Sequence, residues 1–194
     1  MEQVLFYFEL GLTHVLDPQA YDHVLFLAAL ALPFQLKEFT KVVWLATAFT
    51  LAHCTSLALS VYKVIEIDSS IIEFLIPVTI VITAVFNILI EQSNAIRFPF
   101  RSHLLATLVF GLIHGFGFSN YFKMLMDSEP EKLMPLFGFT GGIEVAQLVV
   151  LTVVLLVTGL LFKIVPSWSK KVVLAMSILV ILICIPMLVE TFPI

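Results

Sequence analysis

The chain has 194 residues, 60% of them hydrophobic and only 12% charged, with a formal net charge of −4. Soluble domains are typically about 45–50% apolar and about 25% charged. A mean hydropathy of +1.08 therefore excludes an ordinary soluble domain, and no basic cluster offers a footing for nucleic acid.

About 20 apolar residues at about 1.5 Å rise cross a hydrocarbon core of about 30 Å. The runs here are continuous rather than alternating, which excludes a β-barrel. The expected fold is all-α: one transmembrane domain over 1–194, a helical bundle of about six spans after a short amino-terminal helix. In chain order, segment 2–16 comes first and is too short to cross alone. Pro18 disfavours helix at Asp17 and ends it, so the segment lies at the interface or dips into the bilayer. It carries Glu2 and Glu9, no basic start and no small-residue cleavage site, unlike a signal peptide. Spans are expected at about 19–34, 39–61, 69–91, 101–120, 135–163 and 169–190. Cys54 and Cys184 both fall inside apolar runs and form no disulfide framework or metal signature.

Seven of the ten basic residues, Lys37, Lys41, Arg97, Arg101, Lys163, Lys170 and Lys171, flank alternate connections. The positive-inside rule puts these in the cytoplasm. The stretch from His14 to Asp22 and the carboxyl terminus then face outward. Trp44 and Trp168 fall in or near cytoplasmic span ends, as an aromatic belt requires.

Ionisable groups inside spans are rare and usually functional. Here they are His23, His53, Glu73, His114 and Glu144. Counted at about 1.5 Å per residue from the span ends, all five fall roughly 6–12 Å below the outer face of a core of about 30 Å. Their agreement points to one site near the outside. Three imidazoles and two or three carboxylates suit a divalent transition metal. Asp22 precedes His23, and the two side chains diverge by about 100° on a helix. One of them can bind the ion while the other orients an imidazole. His14 reads as a surface residue as readily as a ligand. Glu73, near the interface, reads as a solvated glutamate nearly as readily as a ligand. Asn87 and Gln147 read as helix-to-helix hydrogen bonds, with Gln147 placed to brace Glu144.

"FTLAHC" (49–54) and "FGLIHG" (110–115) share Phe-x-Leu-x-His, and an acid follows in the next span of each. This pattern predicts a parallel repeat of helix pairs, 39–91 and 101–163. Gly111, Gly115, Gly138, Gly141 and Gly142 are expected to let backbones approach near His114 and Glu144.

The stretches "HVLDPQAYDHVLFL", "FTLAHCTSL", "SSIIEFLIPVTI", "FGLIHGFGFSN" and "GIEVAQL" together resemble the HupE/UreJ family of membrane proteins, over nearly the whole chain. The resemblance implies an integral protein of the bacterial cytoplasmic membrane, a permease or accessory protein of nickel type. It implies metal-site residues at His14, Asp22, His23, His53, Glu73, His114 and Glu144. The expected cofactor or cargo is a divalent transition metal ion, nickel or zinc foremost. The expected partners are that ion, the bilayer, and a membrane protein or a second copy.

Two other readings compete. A metal-dependent intramembrane hydrolase would use Glu73 or Glu144 as base beside an ion-bound water. A non-catalytic membrane subunit, with a structural metal or none, would dock a partner through its lipid-exposed faces. Transport has one weakness: below the ring the spans supply only Asn87 and threonines such as Thr47 and Thr50, with no charged group.

Overall fold

A computed structural model describes residues 2–92, 100–127, 129–165 and 169–193. Arg97 and Trp168 lie outside the described residues. Among the described residues the regular structure is helical: α1 (Glu2–Leu16), α2 (Asp22–Ala31), α3 (Phe39–Val61), α4 (Ser69–Gln92), α5 (Phe100–Met126), α6 (Leu133–Ile164) and α7 (Ser169–Glu190), with a 3-10 turn at Leu36–Glu38 before α3. The last five are long and apolar enough to cross a membrane.

Local chemistry explains the ends. After α1, Asp17 Oδ1 accepts the Gln19 amide at 2.8 Å, an Asx turn stabilised by the proline between them. The carbonyl of Ala29 in α2 would meet the nitrogen of Pro33, which has no hydrogen to donate. Asn87 Nδ2 of α4 donates to that carbonyl instead, at 2.7 Å. Asn87 is thus the interhelical bond expected of it. Lys63 closes α3 in the left-handed region, φ 56°, while Val64 N donates back to the Leu59 carbonyl at 2.8 Å. Asp68 caps α4 by accepting the Ser70 amide at 2.9 Å.

The principal pairings are α3 with α5, α1 with α6 and α4 with α7, and α2 sits between several of them. Glycines set the first two seams. A Cβ on Gly111 would press on the Phe49 carbonyl, and one on Gly115 would overlap the His53 carbonyl and Ser56 Oγ. The register rises together, so α3 and α5 run parallel. Gly138 abuts Val4 and Tyr7, while Gly142 abuts Phe8 and Leu12, so α1 and α6 are parallel too. The glycines do not join α5 to α6 near His114 and Glu144. They build two separate seams, and both helices continue unbroken through them.

The parallel seam settles α1. Its start lies beside the α5–α6 connection, where Tyr7 Oη donates to Glu129 Oε1 at 3.2 Å. Its end lies deep in the bundle, with Tyr7, Gly11 and Val15 buried. The span expected at 19–34 is helical only over the ten residues Asp22–Ala31, about 15 Å and half a hydrocarbon core. Phe26 of α2 stacks on Phe49 at 4.9 Å, and Phe34 beyond it meets His103 near the start of α5 at 5.8 Å. So α2 continues in the direction of α1. The two form one crossing interrupted at 17–21, which with the five long helices makes six. Irregular backbone at such depth is tolerated only where protein or a cavity surrounds it. Lys37, Lys41, Arg101, Lys163, Lys170 and Lys171 gather at one end, the basic end. Glu2, Glu66 and Glu129 mark the other, the acidic end.

Candidate metal centre

Four histidines converge where the first crossing breaks. His14 comes from the last turn of α1, His23 from the first turn of α2, His53 from α3 and His114 from α5. Ring centroids lie 4.5 Å apart for His14–His23, 5.8 Å for His14–His53, 5.9 Å for His23–His53 and 5.5 Å for His23–His114. His53 is fully buried, and His114 and His23 are 1% and 4% exposed. The α3–α5 seam explains part of this: Gly115, next to His114, lies against the backbone of His53.

Second contacts orient two of the rings. His23 Nδ1 lies 3.2 Å from Asp22 Oδ1. His114 Nδ1 lies 2.9 Å from the Phe110 carbonyl. Each partner oxygen accepts only, so Nδ1 carries the hydrogen and Nε2 presents its lone pair. Asp22 therefore orients the His23 imidazole. Five ring nitrogens are buried without a hydrogen-bond partner: Nε2 of His14, His23 and His114, and both nitrogens of His53. Buried polar atoms normally have partners, so such a concentration calls for an explanation.

Aromatic rings close the cluster above and below. Toward the acidic end, Phe118 lies 3.9 Å from His14 and stacks on Phe139 at 5.3 Å and 3°. Toward the basic end, Phe26 stacks on Phe49, lies 6.0 Å from Phe110 and 5.4 Å from His114. The shared Phe-x-Leu-x-His pattern has this consequence: on parallel helices, both phenylalanines sit one turn below their histidines and form a floor with Phe26. A cleft of about 490 Å³ opens beside His14 and is lined also by Thr13, Asp17, Phe118 and Tyr121. It opens to the outside of the bundle.

Two imidazoles bound through nitrogens at about 2.0–2.1 Å on one ion place their ring centroids roughly 4.5–5.2 Å apart, for angles of about 90–109° at the ion. The observed spacing is close to that. Among the described residues, no group of three or more His, Cys, Asp or Glu has its donor atoms already gathered for an ion. The rings must turn to hold one, and His53, bonded at neither nitrogen, is unrestrained by any hydrogen bond.

The acids lie elsewhere. Glu73 is exposed on α4. Glu144 of α6 accepts a hydrogen bond from Thr47 Oγ1 at 2.6 Å. The α6 helix runs antiparallel to α3, with Phe139 beside His53 at 6.5 Å. Glu144 is therefore level with Thr47, six residues or about 9 Å nearer the basic end than His53. The half-buried His14, readable as a surface residue, is instead part of the cluster. The signal that found it was the family resemblance, which implies a metal-site residue at His14.

A family model described as HupE / UreJ protein matches residues 1–191. The chain belongs to the HupE/UreJ family. That membership agrees with the membrane-spanning helices, and the family match covers every residue of the histidine cluster. Neither a curated relative nor a solved structure matches this HupE/UreJ protein.

Proposed function

We propose that this HupE/UreJ protein is a permease for a divalent transition metal ion, of nickel type, with His14, His23, His53 and His114 as its principal ligands. The observation that carries the reading is the set of five buried, unpartnered imidazole nitrogens from four helices. Imidazole suits nickel, zinc and copper, and a buried divalent charge needs a compensating anion. Asp22 supplies it through His23. The positive-inside rule orients the basic end to the cytoplasm, so the cleft beside His14 admits the ion from outside.

The hydrolase reading fares less well. Its base would be Glu73 or Glu144, yet Glu73 is exposed and Glu144 is bonded to Thr47 below the cluster. Transport gains from the same fact, because the lower half of the bundle does contain a carboxylate.

Metal content by mass spectrometry tests the reading, on purified wild type beside His53→Ala and His114→Ala. The expected result is a transition metal bound by the wild type and lost in both variants, and metal uptake by liposomes containing the wild type. Protein that stays metal-free after loading with nickel or zinc overturns it.

A further inference from the structure

Below the imidazoles the direct way to the basic end is shut by Phe26 and Phe49, 0% and 1% exposed, with Phe110 beside them. A polar line bypasses this floor. On α3, His53, Thr50 and Thr47 follow at three-residue spacing, which keeps them on neighbouring positions of one helix surface. The line ends at Glu144, to which Thr47 donates. Gln147 stands one turn further along α6 from Glu144.

These groups are left open. Thr50 Oγ1, Glu144 Oε2 and both amide atoms of Gln147 are buried without a hydrogen-bond partner. Gln147 is 0% exposed and Thr50 2%. Thr47 occupies one oxygen of the carboxylate and leaves the other available. A carboxylate, an amide carbonyl and a hydroxyl are all oxygen donors, a class that suits harder cations and competes less well than imidazole for nickel or zinc. The carboxylate supplies the negative charge that a cation needs at this depth.

We propose that Glu144, with Gln147 and Thr50, forms a second, oxygen-donor station that takes the divalent ion from the imidazoles on its way to the basic end. This rests on the permease reading. Its physical sense is a graded path: an ion held only by imidazoles would stay there, whereas a weaker station on the inner side lets it move on. Conduction needs sites strong enough to enter and weak enough to leave.

The test separates binding from movement, on the full chain with nickel as the probe. Nickel binding is measured on detergent-purified protein, and nickel uptake on liposomes enclosing a nickel-sensitive dye. Glu144→Gln and Gln147→Leu are expected to keep the tight nickel binding of the imidazole site, the binding that His53→Ala loses, while uptake falls at least about tenfold, the scale of losing a supporting polar group at a metal site. His53→Ala loses both. Glu144→Asp, which keeps the carboxylate, recovers part of the uptake and shows that the loss in Glu144→Gln is not misfolding. Wild-type uptake by Glu144→Gln overturns the second station and leaves the permease standing. Nickel binding lost in Glu144→Gln as fully as in His53→Ala also overturns it, by placing Glu144 in the imidazole site. Wild-type protein that binds nickel without moving it, or does not bind it, overturns the permease reading and the station with it.

Discussion

The seam between α3 and α5 makes a sharp prediction at Gly115. A methyl group there would overlap the His53 carbonyl oxygen and Ser56 Oγ. The hydroxyl can rotate, although it gives up its 2.9 Å bond to the same carbonyl. The carbonyl belongs to a helix backbone and cannot retreat alone. Restoring an ordinary separation of about 3.5 Å therefore requires α3 and α5 to part. Overpacking of this kind costs about 1–3 kcal/mol. Because the obstacle is backbone, Gly115→Ala belongs at the upper end, about 2–3 kcal/mol. At about 2–4 °C per kcal/mol for a chain of this size, the melting temperature should fall by roughly 5–10 °C. Metal ligation tolerates only about 0.2 Å, so a shift between His53 and His114 should also weaken metal binding at least about tenfold. Gly159→Ala is the control, since a Cβ there meets nothing within 4 Å. Removing a mid-helix glycine should stabilise by about 0.5–1 kcal/mol. Thermal unfolding in detergent and a nickel titration read both variants. A Gly115→Ala protein with wild-type melting and wild-type affinity would refute the close seam.

Three further outcomes follow from the same contacts. Asp22→Asn keeps an acceptor for His23 Nδ1 but removes the carboxylate charge beside that ring, and should weaken metal binding about 10–100-fold. Equilibrium dialysis checks this, and complete loss would instead mark Asp22 as a direct ligand. Gly142→Ala would drive a methyl into the Phe8 carbonyl and the Leu12 amide. It should destabilise by about 2–3 kcal/mol and weaken metal binding less than Gly115→Ala, because of the four proposed ligands only His14 lies on α1; the two titrations compared side by side decide it. Asn87→Leu leaves the Ala29 carbonyl opposite Pro33 with no donor and should cost about 1 kcal/mol, read as a lower melting temperature with metal affinity unchanged.

Much of the molecule was readable along the chain, because membrane depth is a one-dimensional quantity. A helix rises a fixed distance per residue, so counting from span ends placed His23, His53 and His114 near one level, and these three rings do meet. The helices over 39–61, 69–92 and 169–190 likewise follow from apolar runs bounded by turn and cap residues. Counting cannot say which helix lies beside which. The glycines announced close approach without naming the partner, and packing paired α5 with α3 and α6 with α1. That choice carried α1 into the bundle, brought His14 onto His23 and turned the break at Asp17-Pro18 into the floor of a cleft. The two acids show where counting fell short: it put Glu144 at the imidazole level, whereas Thr47 holds it about 9 Å nearer the basic end than His53. Glu73 and Glu144 have similar places in the sequence, yet Glu144 meets Thr47 and Glu73 stays exposed. The direction in which each faces is a matter of rotation about the helix axis, and only contact with neighbouring helices sets it.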